Sequence, residues 1–364
     1  MVYLVCFVVI VLVLVLIEVK ARKHYQEVHG LPYVRKQIAE YPYNEFIEEC
    51  GSPLNWKLKP GYGKGQMHVN SLGLRCAEPE PGRRRIWVVG ESDLFGPKLV
   101  REQAAWFNVL QEQLDDSGHD FQVMNASVIG YNVSQSLELV RSLPIAKGDI
   151  VLVRPNTNDV SIAYIKGEAW KEGDSWPLEF VHKLERHKAW YLKAMDLTCM
   201  GMFLRRKFSK DEDRSKAFKP APGFQWERLL DYEENKVRSM VEFARQKGAG
   251  VAMFDAAPSY GREVNPDDES KLSAIQSNWE GMVKGWSHYI FGILDEGVKR
   301  IGTPMGLPLL KVSSYLWNHP RRYLLYLDLV HFNIDGHRVM AQALYEELVK
   351  SKLLTHEKNQ NGEN

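Results

Sequence analysis

Apolar residues along this chain fall into two alternating patterns. Short, mostly apolar runs occur at Ile86–Val89, Phe121–Asn125, Asp149–Val153, Val251–Asp255 and Leu309–Val312. Runs this short and this apolar predict strands covered on both faces, as in a parallel sheet. Between them, apolar residues recur at spacings of three and four. Leu99–Leu114 carries Ala104, Phe107, Leu110 and Leu114 in this way, and Ser134–Leu143 carries Leu137 and Val140. Phe224–Lys247, stopped by Gly248, Leu272–Val298 and a segment from about Gly336 to Val349 repeat the helical spacing. Strands that alternate with helices predict βαβ units with right-handed crossovers, so the expected class is α/β with a parallel sheet.

Three stretches depart from that rhythm. Met1 to Ile17 is apolar throughout and is followed by Lys20, Arg22 and Lys23. A helix of this run is roughly 26 Å long, close to a bilayer core once the flanking basic residues reach outward. No basic residues precede it and no small-residue cleavage site follows, so an uncleaved anchor is expected rather than a removed signal. The alternative is an exported precursor. The charge pattern favours a cytoplasmic position for the bulk of the chain. Gly51–Arg75 is punctuated by proline and glycine and reads as short extended pieces. Val160–Gly223 interrupts the alternation, with a helical, aromatic and basic segment over Leu178–Phe208 and a charged loop over Ser209–Gly223. The expected organisation is an anchor over 1–23, a neck (helical over His24–Glu49) and extended segment over 24–83, a catalytic domain over 84–350 with a helical insertion at about 160–223, and a polar tail over 351–364.

Composition narrows the function. Lys and Arg total 47 against 46 Asp and Glu, which gives no basic excess and argues against a nucleic-acid partner. The four cysteines, Cys6, Cys50, Cys76 and Cys199, show no metal spacing, and neither do the histidines, so no metal or other cofactor is expected. Cys50 and Cys76 could pair only in an exported protein. The apolar, Met-rich segment Ala194–Leu204 reads as core packing, with a lid or membrane contact as the sharper alternative.

Candidate chemistry gathers at strand ends. Gly90 breaks the first run and Ser92 follows two residues later, ahead of a helix. A serine there stands at the sheet edge where α/β folds build sites, with backbone N–H groups directed outward nearby. Gly130, the polar run Asn156-Thr157-Asn158-Asp159 and the segment Asp328-Leu329-Val330-His331 stand at other strand or helix boundaries. Arg154 is expected either to meet an anionic substrate group or to form a surface salt bridge. Asp255 reads as a loop cap and Asp335 as the N-cap of the last helix.

Taken together and in this order, these segments resemble the SGNH (GDSL-like) hydrolase superfamily over most of Arg84–Val349. The motif VNSLGLR ahead of the first strand and the motif NASVIGY at the end of the next strand resemble a bacterial branch associated with cell-envelope polysaccharides. The resemblance implies a three-layer α/β/α, flavodoxin-like sheet. It implies Ser92 as nucleophile, His331 as base and Asp328 as its partner. Backbone N–H groups of Ser92 and Gly130, with the Asn158 amide, would form the oxyanion hole. A serine hydroxyl needs such a base, and imidazole both takes up and releases a proton near neutrality. Glu91 stands where the family usually has aspartate and Asn156 where it usually has glycine. The expected function is a membrane-anchored serine esterase that removes O-acyl groups from carbohydrate or envelope glycolipid, the membrane being met through residues 1–19. The alternatives are an O-acyltransferase using the same triad and a non-catalytic carbohydrate-binding or assembly module.

Overall fold

The computed structural model describes residues 1–33, 43–97, 99, 101–178, 198–201, 204, 219–255, 258–261, 270–272 and 280–354. Helix α1 (Val2–His29) begins the chain and is long and apolar enough to cross a membrane. It continues well past the apolar run. Gly30, in the left-handed region at φ 63°, ends it, and Pro32 follows. The helical neck expected over His24–Glu49 is therefore corrected. Further along that same segment come a helical turn at Tyr43–Phe46 and strand β1 (Ile47–Glu49), which pairs antiparallel with β2 (Trp56–Leu58). The polar end of α1 contacts residues 198–201. Glu18 accepts from the N–H groups of Cys199 and Met200 at 2.9 and 3.0 Å, and Tyr25 is buried against Cys199.

The core sheet has five parallel strands: β3 (Arg84–Gly90), β4 (Phe121–Ser127), β5 (Ile150–Val153), β6 (Gly250–Phe254) and β7 (Leu309–Leu310). Their order is β4-β3-β5-β6-β7, so the chain reverses its direction of travel between β3 and β5. Crevices at such a reversal, beyond the carboxyl ends of the strands, are where open α/β sheets bind ligands. The strand interiors are almost wholly buried, which explains why their sequences run apolar rather than alternate. After β3 come α2 (Ser92–Phe95) and α3 (Trp106–Asp116); after β4, α4 (Val133–Ser142). Helix α5 (Thr157–Lys166) follows β5, and α6 (Trp226–Gln246) precedes β6. Then come α7 (Glu280–Gly297), α8 (Val312–Trp317) after β7, and α9 (Ile334–Lys350).

Two boundaries differ from expectation. Residues 157–166 form a helix, so the alternation continues past residue 160. Asp159 to Tyr164 are all buried, and a helix covered on several sides leaves no apolar stripe to read. The helix over Leu178–Phe208, the charged loop after it and the Met-rich segment lie largely outside the described residues, as does most of the tail. Asp335 does not cap α9. Asn333 does, accepting from Gly336 N–H at 3.0 Å, while Asp335 pairs with Arg338 at the surface. Asp255 accepts from the N–H and hydroxyl of Ser313 and so caps α8. All four cysteines are free, which excludes the Cys50–Cys76 bridge in this structure.

Candidate active site

The turn that carries Ser92 is pressed hard against β3. A Cβ on Gly90 would stand 2.3 Å from the end of the Leu94 side chain, so a larger residue here would have to displace Leu94 from its place under α2. Gly96, at φ 72°, closes the turn. Behind it the fully buried Arg75 donates from Nη1 to the carbonyls of Phe95 and Gly96. The Leu94 carbonyl accepts from Trp106 Nε1 at 2.7 Å. Arg75 ends the VNSLGLR segment, whose Asn70 accepts from the N–H groups of Leu72 and Leu74 at 3.0 Å each. That segment is a brace for the serine turn.

His331 arrives from the far end of the chain. Ser259 donates from both its N–H and its hydroxyl to the Leu329 carbonyl at 2.9 Å, and Leu327 N–H donates to the His331 carbonyl at 2.7 Å. Asp328 Oδ1 accepts from the N–H groups of Val330 and His331, at 3.1 and 2.9 Å. The loop is thus tied at both ends before the side chains meet. His331 Nε2 then lies 3.0 Å from Ser92 Oγ, and Nδ1 lies 2.9 and 2.8 Å from the two Asp328 oxygens. A carboxylate on Nδ1 selects the tautomer protonated there, and Nε2 is left to accept from the Ser92 hydroxyl.

Beside the serine, the loops after β4 and β5 lock together. Gly130 takes a positive φ of 74°. The next carbonyl, of Tyr131, accepts from the amides of Asn156 and Asn158 at 3.0 and 2.9 Å. Asn158 Oδ1 accepts from Trp176 Nε1 at 3.3 Å, so its amide is held in one orientation. One Asn158 N–H is spent on Tyr131, which leaves the second as a donor. Asn156, at the position where glycine was expected, is the N-cap of α5 and accepts from Asn158 N–H at 2.8 Å. Ser92 is the first residue of α2, where an N–H has no intrahelical acceptor.

Glu91 joins these pieces. It is 3 % exposed, and it accepts from Thr157 N–H and Oγ1 at 2.8 and 2.7 Å and from Asn158 N–H at 3.1 Å. Burial pushes its carboxyl above the usual range, while Arg154 opposes that push. Arg154 itself corrects an expectation. Its side chain is 3 % exposed, and Nη2 donates to Glu91 Oε1 at 3.2 Å and Asp93 Oδ1 at 2.6 Å. Held by two carboxylates beneath the serine turn, it is neither a surface salt bridge nor available to a substrate anion.

Two further acids escaped the sequence reading. Asp159 and Glu233 are buried, 74 positions apart in the sequence, and packed near enough that the charge on Asp159 bears on Glu233. Asp159 Oδ2 accepts from Val133 N–H at 2.7 Å and Glu233 Oε2 from Asn156 N–H at 3.1 Å. Two neighbouring acids in a buried site favour holding one proton between them. Burial raises the pKa of both acids, and the charge on Asp159 raises that of Glu233 further. Unfolded carboxyls release their protons near pH ~4. Above that, the folded protein holds a proton that the unfolded chain has lost. The pair's contribution is thus full below about pH 4 and is lost as pH rises through the raised folded values. Glu233→Gln keeps the donor and removes the titration. Its melting temperature should fall less steeply than that of wild type between about pH 5 and about pH 9. Equal slopes would reject the shared proton.

No protein-family model matches the chain, and no curated protein matches it. Among solved structures, TesA is 15% identical, with 75% of this chain and 100% of that chain covered at a TM-score of 0.43. A GDSL-like lipase from Bacteroides thetaiotaomicron is 13% identical, with 76% and 93% covered at 0.40. The acetyl xylan esterase AlAXEase is 14% identical, with 72% and 97% covered at 0.40.

Proposed function

We propose that this chain is a serine ester hydrolase of the SGNH type, acting through an acyl-serine intermediate on O-acyl esters carried by carbohydrate or envelope glycolipid. The observation that carries this is the unbroken line from the Asp328 carboxylate through His331 to the Ser92 hydroxyl, with contacts of 2.8 and 3.0 Å. Ser92 Oγ attacks the ester carbonyl as its proton passes to His331 Nε2. The tetrahedral oxyanion accepts from the N–H groups of Ser92 and Gly130 and from the second Asn158 amide hydrogen. Collapse breaks the bond to the leaving alcohol, which takes the proton from His331. Water, deprotonated by the same nitrogen, then attacks the acyl-serine, releases the acid and restores the hydroxyl. Asp328 keeps the imidazole oriented and stabilises its cation. The carbohydrate half of the reading is supported by the sequence resemblance, and a membrane position by the length and apolarity of α1.

The test is a fluorophosphonate probe together with p-nitrophenyl acetate. Wild type should label and hydrolyse; a protein that does neither has a binding or assembly role instead. Ester found on an added sugar, in place of free acid, would identify a transferase. Asn158→Ala should lower kcat by about 10²–10³ with little change in KM, the usual effect of removing one oxyanion donor. A change confined to KM would take Asn158 out of that role.

A further inference from the structure

The two loops that carry the proposed oxyanion donors are joined twice. Gly130 lies in the loop that runs into α4, and Asn158 in the first turn of α5. The first junction is the Tyr131 carbonyl, which accepts from the amides of Asn156 and Asn158. The second is made by the two buried acids. Val133, three positions past Gly130, donates its N–H to Asp159 Oδ2 at 2.7 Å. Asn156, two positions before Asn158, donates its N–H to Glu233 Oε2 at 3.1 Å. Asp159 is the direct neighbour of Asn158 on α5, while Glu233 comes from α6. Asp159 thus ties the start of α5 to the Gly130 loop, and Glu233 ties the same start to α6.

Each acid has one oxygen left over. Apart from one another, Asp159 Oδ1 and Glu233 Oε1 meet no donor among the described residues, and both are buried. Buried oxygens without a donor are costly, and one proton between the acids serves both. Asp159 lies in the first turn of α5, where the aligned N–H groups favour negative charge. Glu233 lies well inside α6 and has no such help. The proton therefore belongs on Glu233. Two other ionisable groups face the pair. Glu91, just past β3, opposes ionisation of both acids and is itself held by Arg154 at 3.2 Å. Tyr232, next to Glu233, is kept protonated by burial, with its hydroxyl 2.7 Å from that of Ser134 on α4.

We propose that Asp159 and Glu233 are positioning residues for the oxyanion hole: with one proton between them they clamp the Gly130 loop to the start of α5, and loss of that proton opens the clamp and slows turnover. The proposal rests on the hydrolase reading above. Without the proton, two buried carboxylates repel each other across α5 and α6. Each is bonded to a loop N–H, so the repulsion reaches Val133 and Asn156 and, through them, the donors. A reacting group displaced by about 1 Å can cost ~10²-fold in rate. Burial and the Asp159 charge hold the Glu233 carboxyl well above the usual range, so the clamp opens as pH rises. The donors act on charge that develops only as the carbonyl becomes tetrahedral, so the loss falls on kcat and not on KM.

The test follows p-nitrophenyl acetate hydrolysis by the full chain in detergent between about pH 6 and about pH 10, with kcat and KM separated. The temperature is one at which melting curves show each variant folded throughout. Wild-type kcat should fall by about tenfold or more over the alkaline part of that range, with KM constant within about twofold. Glu233→Gln carries an amide that donates to Asp159 at every pH and still accepts from Asn156. It should reduce the alkaline fall to less than about twofold. Glu233→Ala leaves Asn156 and Asp159 without a partner and should lower kcat by about tenfold or more at every pH, again with little change in KM. Should Glu233→Ala not fold, the glutamine profile alone decides. A Glu233→Gln profile that falls as wild type does, a wild type without an alkaline fall, or a Glu233→Ala effect confined to KM or to melting temperature overturns the clamp while the hydrolase stands. A wild type that neither labels with fluorophosphonate nor cleaves the ester removes the hydrolase reading and the clamp with it.

Discussion

Ser92→Ala should abolish fluorophosphonate labelling and lower kcat by a factor on the order of 10⁵–10⁶, as removal of the nucleophile does where hydroxyl and imidazole act as a unit. The contact between Ser92 and His331 joins residues 239 positions apart. It is made by a loop that is already anchored through Ser259, Leu327 and Asn333. His331→Gln should therefore cost nearly as much as Ser92→Ala, and the double variant little more than either. Asp328→Asn should cost on the order of 10⁴, because an amide can no longer hold the imidazole in the productive tautomer. Asp328 also accepts from two backbone N–H groups of its own loop. Melting curves of Asp328→Asn will separate loss of that turn from loss of catalysis. If Ser92→Ala retains ester hydrolysis within tenfold of wild type, another group is the nucleophile.

The largest stability effect is expected at Arg154. Arg154→Leu leaves the Glu91 carboxylate uncompensated at 3 % exposure, with Asp93 beside it. Removing one partner of a buried ion pair typically costs about 3–5 kcal/mol. For a domain of this size, that corresponds to a melting temperature lower by roughly 10 °C. Activity should fall as well, since Glu91 also holds Thr157 and Asn158. Arg154→Leu combined with Glu91→Gln should recover part of the lost stability, because the neutral amide no longer needs a buried cation. A double variant less stable than Arg154→Leu would mean that Glu91 acts through its hydrogen bonds to α5 rather than through its charge.

The sheet was legible in the sequence because its strands are covered on both faces and their apolar runs stand out from the helical spacing around them. Strand β7, at two residues, was placed but drawn too long, since an edge strand needs less apolar sequence than a central one. Helix α5 was missed because burial on several sides erased its stripe. The ion pair at Arg154 is a matter of register. Val88 of β3 pairs with Leu152 of β5, so Glu91 and Arg154 leave adjacent strands side by side. No spacing along the chain announces that; only the strand order does. Asp159 and Glu233 were hidden for the same reason, each an ordinary acid on a helix until α5 and α6 pack together. Ser92, His331 and Asp328 were picked out through the resemblance of their segments, taken in order, to the blocks of a known family, each block standing at a strand or helix boundary. Trp176 gave no such signal, since it lies in a stretch without periodicity.

The way α1 ends bears on how the molecule would stand at a bilayer. Glu18 grips two backbone amides of a distant segment, and Tyr25 is sealed against Cys199. The carboxyl-terminal part of that helix is thus tied at a few points, while most of its side chains face solvent. On the proposed membrane placement, Glu18, one residue past the apolar run, holds residues 198–201 at the bilayer face.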